Sequence, residues 1–587
     1  MMDNGHVTQP RSRKRSQTAP VSPPRPALQL RPGPLLAVLS GVLCLGLLSP
    51  EIRDSDFWWH LKTGQYMVET HSLPVPDPFA YTTAGAPFTN AGEAVARHFN
   101  LTHEWLAQIF LYAAYSAAGF PGVVALRALL LAAFCGLAGL AAWRRSGSVH
   151  RGWMAGLVVT AAVVPFALDR PQLFTYLFLA LAVAILESRR RLWLLPALFA
   201  IWANCHGGFV LGWVVLAAYC AEALIAPWRS TPLPEARAVW VWSGAAFLAS
   251  GINPNGFRAV QVLFLYRSSQ LQSHLLEWAR PALWPPPLFA LLLAAATAVM
   301  VWQRRRVRVS DWLLLAAFGV AACTAGRNTI FAGFFAPVFL AAYIPWKRVL
   351  PAAAGWAVAG ALVAGIVWGT AAGEFFQLRA AEWRYPSGAA SFLVSHRVAD
   401  RMFNTYEYGG YLMWRLWPDQ RVFIDGRALS EQVFDDYARI LYNHDDSGGK
   451  SAQQLLDQYG AGVIVMNAFE YSTGTVYLLA PALADPAQTE WKLVYRDAQA
   501  MVWLRRPPAG VVPLNNLEVF DNMETQCGLH IDREPGHPRC ARSLAQTFAK
   551  IGDFTRARRW LGVYLDHPHL PDPEAEQAYR QYVSAGK

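Results

Sequence analysis

A short stretch from Glu51 to His60 contains two aspartates, two adjacent tryptophans and a histidine. Asp54 and Asp56 are separated by one residue, so in an extended loop their side chains face the same side. A carboxylate in that position can take a proton from an attacking hydroxyl, and a pair can share a divalent metal such as Mg²⁺ or Mn²⁺. We therefore predict Asp54 as a general base. Asp56 would support it, bind metal, or cap the helix that follows.

Arginine occurs beside a second acid and again after a later apolar run. Asp169 directly precedes Arg170, and Arg327 precedes Asn328. A guanidinium supplies fixed donors that match phosphate oxygens, so we predict that Arg170 and Arg327 bind a phosphate. Asp169 is a third candidate catalytic carboxylate. The alternative is that Asp169 and Arg170 form a structural ion pair at a helix end.

These polar residues lie between long apolar runs, which determine where they can be placed. The chain has 587 residues, of which 54% are hydrophobic and only 16% are charged. Such a composition is typical of a polytopic α-helical membrane protein. The net charge of +11 comes from basic residues at the ends of apolar runs. This distribution indicates which helix ends lie on the cytoplasmic side of a membrane. No nucleic-acid-binding module is recognisable in the sequence.

The distribution of arginine predicts about eleven membrane crossings, with the N-terminus cytoplasmic and everything after Glu374 outside. The first external loop would carry two helices at the membrane interface, Phe57 to Val68 and Glu104 to Ala118. Four parts are predicted: a disordered basic tail at 1–33, a transmembrane domain at 34–372 with its first external loop at 51–121, an external α/β domain at 373–512, and a helical tail at 513–587.

With this topology the unusual polar residues fall at the outer ends of helices or in external loops. Besides the acids and arginines above, the candidates for an outer cavity are His60, His103, Glu104, Gln172, Asn204, His206 and Asn328. Acids beside arginines in such a cavity suit a substrate with a lipid tail and a phosphate head. The alternative for His206 is a packing histidine, and for His60 a solvated residue at the interface.

The external part contains segments with the composition of strands. Val422–Ile424, Gly462–Met466 and Met501–Leu504 are predicted strands, and Ser451–Tyr459 is a predicted helix. In the tail, Leu544 to Leu561 resembles one tetratricopeptide helix pair, which alone predicts a capping helical hairpin. Cys527 and Cys540 are the only tail cysteines, and an oxidising outer compartment favours a disulfide between them. A zinc site with His530 and His537 is the alternative.

The membrane part resembles the GT-C superfamily of glycosyltransferases, which includes protein O-mannosyltransferases, aminoarabinose transferases and oligosaccharyltransferases. The resemblance rests on Asp54-Ser-Asp56 in the first external loop, the two interface helices of that loop, and Asp169 after the third crossing. It implies a donor sugar linked to polyprenyl phosphate or diphosphate, and inversion at the anomeric carbon.

A second similarity concerns the acceptor side. The stretch from Asn404 to Tyr411, followed by Val422 to Arg427, is loosely similar to the acceptor-binding motif of oligosaccharyltransferases. It differs in having tyrosine and glutamate for tryptophan and aspartate, and an additional glycine. The similarity implies that Glu407, Tyr408 and Asp425 face the acceptor. The alternative is a glycine-rich turn before a core strand.

Together these features predict an enzyme of a bacterial-type inner membrane that transfers a sugar from a polyprenyl-phosphate carrier. The acceptor would be a glycan, lipid or protein on the periplasmic face, and membrane lipids would surround the helices. One alternative is a ligase-like transferase that moves a whole glycan from a diphosphate lipid. The other is a non-enzymatic membrane scaffold for envelope assembly.

Overall fold

The computed structural model describes residues 33–84, 86–88, 91–225, 235–265, 278–345, 351–427, 429–443 and 449–585. The basic tail predicted at 1–33 therefore lies outside the described residues, apart from Gly33. Most of the described chain is helical, and a small sheet lies in the C-terminal part.

The N-terminal part is a bundle of apolar helices. Three helical segments are long and apolar enough to cross a membrane, Ala91–Ser146, Val149–Phe166 and Ala353–Ala371. The other apolar helices are shorter, so about eleven crossings remain a prediction. The helices up to residue 372 are α1 (Gly33–Leu47), α2 (Asp56–Thr70), α3 (Ala91–Thr102), α4 (Trp105–Ser146), α5 (Val149–Val163), α6 (Gln172–Ser188), α7 (Leu195–Cys205), α8 (Phe209–Ile225), α9 (Ala236–Ala249), α10 (Ala259–Leu265), α11 (Leu288–Trp302), α12 (Val309–Thr324), α13 (Thr329–Tyr343) and α14 (Ala352–Ala371).

Helix α4 is interrupted where the sequence predicts the end of an interface helix. Ala118 and Gly119 leave the helical conformation, and Gly119 has a φ of +62°. Glycine adopts that left-handed conformation without the steric cost that a side chain would add. The predicted boundary at Ala118 is therefore confirmed, and the chain changes direction between an amphipathic segment and a long apolar one.

At the end of the bundle opposite the first loop, buried ion pairs join several arginine-rich helix ends. Arg145 at the end of α4 and Arg308 before α12 both contact Asp311, with Arg145 Nη1 3.1 Å from Asp311 Oδ1 and Arg308 Nε 3.3 Å from Asp311 Oδ2. Arg308 also pairs with Glu187 at the end of α6. The helix ends that the arginine pattern assigns to one side therefore do meet at one end of the bundle.

The C-terminal part combines a four-stranded sheet with helices. The strands are β1 (Met402–Asn404), β2 (Val463–Met466), β3 (Lys492–Arg496) and β4 (Met501–Leu504), in the order β1-β2-β4-β3. Strands β1 and β2 are parallel, and the other pairs are antiparallel. The helices are α15 (Ser387–Ser395), α16 (Tyr406–Leu416), α17 (Glu431–Tyr442), α18 (Ala452–Tyr459), α19 (Leu479–Leu483), α20 (Glu518–Arg533), α21 (Arg539–Lys550), α22 (Phe554–Asp566) and α23 (Pro573–Ala585).

Two predictions for this part are wrong. Val422–Ile424 is not a strand, because the backbone of Val422 forms only an isolated bridge with Ala80 of the first loop. The stretch from Asn404 to Tyr411 is not a glycine-rich turn, since it runs from β1 into helix α16. Gly409 lies within that helix, and its lack of a side chain allows the Ile424 carbonyl oxygen to approach, since a Cβ there would overlap this oxygen. The strands near Gly462–Met466 and Met501–Leu504 and the helix near Ser451–Tyr459 are confirmed.

The first loop is part of the same structural unit as the region after α14. Ile52 pairs with Ala380, and one apolar core contains Phe57 and Trp58 of α2 together with Tyr411 of α16 and Val502 of β4. The residues that begin the candidate site are therefore held between the bundle and the sheet.

The predicted disulfide between Cys527 and Cys540 is confirmed, and it joins α20 to α21. Both half-cystines are buried in a core that the tail helices share with the sheet. Helices α21 and α22 form the predicted helical hairpin. The zinc alternative does not hold, because the two sulfurs are bonded to each other.

Replacing both half-cystines with serine should destabilise the tail by about 3 kcal/mol, because the bridge restricts the unfolded chain. Limited proteolysis of the purified protein would measure this as faster cleavage within 513–587. Cys323→Ser is the control, since Cys323 is an exposed free thiol. Equal cleavage rates in the double variant and the control would contradict the stabilising role.

Candidate active site

The polar residues singled out in the sequence surround one cavity of about 410 Å³ at the first-loop end of the bundle. Nine of the candidate positions line this cavity, namely Asp56, His60, His103, Glu104, Arg170, Gln172, His206, Arg327 and Asn328. Asp54, Asp169, Asn204, Glu407, Tyr408 and Asp425 are not among its lining residues. The cavity is therefore built from the bundle, the first loop and the segment between β1 and β2.

Asp54 lies behind the cavity wall, bound to Arg170. Its carboxylate accepts hydrogen bonds from Arg170 Nε and Nη2, the latter at 2.9 Å, and from the backbone N–H of Asp56 at 3.1 Å. Burial acts to raise the pKa of Asp54, but the Arg170 charge and these hydrogen bonds outweigh it and hold the pKa below its usual value. The Asp54 residue is only 7% exposed, and its carboxylate does not open onto the cavity.

Asp56 lines the cavity and contacts the same arginine. Its Oδ2 lies 3.1 Å from Arg170 Nη1, so Arg170 is held between two carboxylates. Asp56 is the first residue of α2 and does not cap it, because Ser55 occupies the N-cap position without a side-chain hydrogen bond. An acid in the first helical turn is still favoured by the helix dipole.

This arrangement does not suit the divalent metal considered for Asp54 and Asp56. The Arg170 guanidinium already occupies the space between the two carboxylates, and a second cation there would be repelled. Within the described ranges, no group of three or more histidine, cysteine, aspartate or glutamate side chains is placed to hold a metal ion.

Asp169 forms a buried ion pair, but with Arg127 of α4 and not with its neighbour Arg170. Arg127 also donates to the backbone carbonyl of Leu48 at 3.2 Å, so it ties the end of α1 to the loop before α6. The predicted partner was wrong because consecutive side chains point in different directions. Burial raises the pKa of Asp169 to about 6 despite the Arg127 charge.

A third acid, Glu104, contacts three histidines in the cavity wall. Its Oε1 is 3.2 Å from His103 Nε2 and 3.6 Å from His206 Nε2, and its Oε2 is 3.6 Å from His60 Nδ1. One carboxylate therefore lies within 4 Å of three imidazole rings.

The orientation of His206 follows from the turn around it. Gly208 N–H donates to His206 Nδ1 at 3.0 Å, and Thr175 Oγ1 lies 2.8 Å from the same nitrogen. An accepting Nδ1 places the proton of the neutral ring on Nε2, which faces Glu104. Burial lowers the pKa of His206 to about 3, so the ring is neutral at pH 7.

The low pKa of His206 predicts a pH-dependent stability. In the unfolded chain His206 becomes protonated near pH 6.5, whereas in the folded chain it stays neutral down to about pH 3. Stability therefore falls as the pH drops below 6.5. The expected loss is on the order of 1–2 kcal/mol at pH 5 relative to pH 7.5. Thermal unfolding in detergent at both pH values should show a smaller difference for His206→Gln than for the wild type. His396→Gln, at an exposed position, should keep the full difference; equal shifts in all three would refute the assignment.

On another side of the cavity, Arg327 stacks on an aromatic ring. Its guanidinium carbon lies 4.6 Å from the ring centre of Trp278, a favourable position for a cation over an indole. The remaining wall there is largely apolar and comprises Tyr176, Val210, Leu211, Ala259, Val262 and Phe331. A cation beside an apolar wall can bind a molecule in which a phosphate is attached to a lipid chain.

The segment between β1 and β2 closes the cavity, but through different residues from those predicted. Tyr406, Gly426 and Arg427 line it, whereas their neighbours point away. Asp425 is buried in an ion pair with Arg427. Tyr408 is completely buried and lies 2.5 Å from the backbone oxygen of Gln499, so it cannot face an acceptor in the cavity.

Two further candidates are explained by their contacts. Glu407 accepts a hydrogen bond of 2.8 Å from Tyr477 in the interior of the C-terminal part, and burial raises its pKa to about 7. Asn204 accepts a hydrogen bond of 2.7 Å from Trp105 Nε1 and donates to Ile252 O at 2.6 Å, which joins α4, α7 and the end of α9. Both side chains therefore hold elements together outside the cavity.

Sequence reasoning missed Trp59, Tyr406, Gly426 and Arg427 as lining residues. The sequence shows Trp59 beside Trp58, but it does not show which side of helix α2 faces the cavity. Tyr406, Gly426 and Arg427 reach the cavity only because their segment packs on the first loop, more than 300 residues away in the sequence. The hydrogen bond of 3.0 Å from Arg97 Nε to Leu429 O is one such contact. A comparison of the chain with protein-family models and with curated proteins found no match.

Proposed function

We propose that the protein is a membrane glycosyltransferase that moves a sugar from a polyprenyl-phosphate carrier to an acceptor on the outer face of the membrane. The observation that carries this proposal is the composition of one cavity, which combines a carboxylate (Asp56), two arginines (Arg170 and Arg327) and an apolar wall. A carboxylate can accept a proton as a general base, arginines can bind a phosphate, and an apolar wall can pack against a lipid chain.

Asp56 takes the role of general base in place of Asp54. A base must reach the proton that it removes, and only Asp56 of the two lines the cavity. Asp54 acts on Arg170, whose guanidinium it holds through two hydrogen bonds. Asp54 is therefore a positioning residue.

The reaction needs one bond to form and one to break. The acceptor oxygen or nitrogen attacks the anomeric carbon, the bond from that carbon to the phosphate oxygen breaks, and polyprenyl phosphate leaves with the electron pair. The proton of the acceptor goes to the Asp56 carboxylate. Attack from the side opposite the leaving phosphate inverts the anomeric centre.

The charges at the cavity favour a monophosphate over a diphosphate carrier. Arg170 is shared by two carboxylates, and Arg427 pairs with both Asp425 and Asp77. Much of the positive charge is therefore already balanced, which suits the single charge of a phosphodiester better than the two charges of a diphosphate.

The proposal is tested with the full chain in lipid nanodiscs and radiolabelled hexoses on polyprenyl monophosphate or diphosphate. We expect release of polyprenyl phosphate from the monophosphate donor, at a rate that exceeds that with the diphosphate. A faster reaction with the diphosphate would favour the ligase-like alternative. Turnover of neither donor by folded protein would overturn the proposal and favour a scaffold.

Arg327→Gln should raise the KM for the monophosphate donor by roughly 10- to 100-fold, since a charged hydrogen bond to the phosphate is lost. The value of kcat should change less, because a donor bound at saturation is still attacked. Arg280→Gln is the matched control, as Arg280 is an exposed arginine in the segment before α11 and does not line the cavity. Equal KM values for the two variants would show that Arg327 does not bind the donor.

A further inference from the structure

A polar wall made of one carboxylate and three imidazoles lines the cavity between the proposed base and the proposed phosphate site. We call it the histidine wall, and it comprises His60, His103, Glu104 and His206. His60 follows Asp56 by four residues, so both lie on one face of α2. Glu104 contacts His60 and His206 at 3.6 Å each. Burial is the main cause of the low pKa of His206, and the Arg327 charge adds to it, so the wall extends towards Arg327.

The position of the donor sugar follows from the two ends of this wall. In the proposed reaction the anomeric carbon lies between the attacking group at Asp56 and the phosphate at Arg327, so the sugar ring faces the histidine wall. The side chains of His103, Glu104 and His206 are 16%, 10% and 13% exposed, and all three line the cavity. A molecule in the cavity can therefore contact them.

The histidine wall carries no net charge. His103 Nδ1 lies 2.8 Å from the Phe99 carbonyl oxygen, and its Nε2 lies 3.2 Å from Glu104 Oε1. Because an oxygen acceptor faces each ring nitrogen, both nitrogens carry a proton, and the positive ring balances the Glu104 carboxylate. Burial lowers the pKa of both His60 and His206 to about 3, so these rings are neutral at pH 7. Among the described residues, the ion contacts of Glu104 are with imidazoles alone.

We infer that the histidine wall binds the hydroxyl groups of the donor sugar and selects a neutral sugar over a charged one. The inference rests on the proposed function. Carboxylate oxygens accept hydrogen bonds from hydroxyls, and imidazole rings donate to them or accept from them. The wall therefore offers hydrogen bonds to a sugar without offering it a counter-charge.

A charged sugar fits this wall less well, because Glu104 and His103 already neutralise each other. A sugar carboxylate or ammonium would lose its hydration in the cavity and could gain a partner only by breaking that pair. Arg327 cannot serve as the partner of a sugar carboxylate, since it binds the donor phosphate in the proposed reaction. The cost falls on the uronic acid and on the amino sugar alike.

The test uses polyprenyl monophosphate donors of glucose, mannose and galactose, each also as its uronic acid and its 6-amino-6-deoxy form. Transfer is measured with the full chain in nanodiscs. We expect the kcat/KM of the best neutral donor to exceed that of the best donor in either charged class by about tenfold or more.

His103→Gln separates the charge of the wall from its shape, because it leaves the Glu104 carboxylate without the balancing imidazolium. At pH 8 the kcat/KM of the amino donor relative to the neutral donor should rise about tenfold, and that of the uronic acid should fall further. His98→Gln is the matched control, as His98 is an exposed histidine of α3 that does not line the cavity. It should keep the wild-type ratios.

The outcomes separate this inference from the function on which it rests. A charged class that the wild type transfers fastest, or wild-type ratios in His103→Gln, would overturn the neutral-sugar assignment while the glycosyltransferase stands. Absence of turnover of every donor by folded wild-type protein would remove both. Circular dichroism and size-exclusion profiles establish that each variant is folded.

Discussion

Asp56→Asn should reduce sugar transfer by roughly a hundred- to ten-thousand-fold, the usual contribution of a general base. Asparagine has nearly the same shape and can still accept from Arg170, so the variant should fold and bind donor normally. It cannot take a proton, and the attacking group of the acceptor would have to lose its proton to water. Initial rates with the monophosphate donor, and donor affinity measured separately, would distinguish the two effects.

Asp54→Asn provides the comparison, because Asp54 contacts the same arginine from behind the cavity wall. Removing its charge should cost about 2 kcal/mol of stability, since charged hydrogen bonds to a partly buried arginine are weakened. Its kcat should fall less than that of Asp56→Asn. If Asp54→Asn is inactive and stable while Asp56→Asn turns over normally, the roles are the reverse of those proposed.

Gly426→Ala should also abolish most transfer, with an expected loss of about a hundredfold or more from the misplaced base. The added methyl group would overlap Asp56 Oδ1 and crowd Trp59 Nε1. The aspartate side chain can rotate away at little cost in stability, but it then leaves the position from which it removes the proton. Thermal unfolding and transfer rates measured on the same sample would show a folded and inactive protein.

Gly528→Ala is the matched control for that substitution. Gly528 lies within α20, where no atom lies within 4 Å of an added Cβ. This variant should keep full activity, and alanine in a helix should slightly raise its stability. Normal activity of Gly426→Ala would show that the region after α16 does not shape the site.

Local sequence patterns predicted the helices well, and they failed where distant segments meet. The apolar runs of the sequence do form helices, as in Phe209–Ile225 and Leu288–Trp302, because apolar composition and flanking arginines are local signals. The glycines at 409 and 410 suggested a turn, yet they lie in α16 and allow close approach to other backbone. A Cβ at Gly410 would lie 2.9 Å from the Ser55 oxygen in the first loop.

The candidate site was likewise predicted where local signals are sufficient, and missed where distant segments meet. The sequence indicated that acids, arginines and histidines at alternate helix ends would converge, because every second helix end lies on one side. We predicted Asp54 rather than Asp56 as the base from local sequence, which does not show that Arg170, more than 100 residues away, holds Asp54 behind the cavity wall. Nor could it show that the Trp59 N–H faces Gly426.

The most direct measurement is an electron cryo-microscopy structure of the full chain in nanodiscs with a polyprenyl monophosphate. The proposed mechanism predicts phosphate density in the cavity within hydrogen-bond distance of Arg327 or Arg170, with the lipid chain along Val210, Leu211 and Val262. Phosphate density at the opposite end of the bundle, near Arg145 and Arg308, or an apolar density in the cavity without a phosphate, would contradict it.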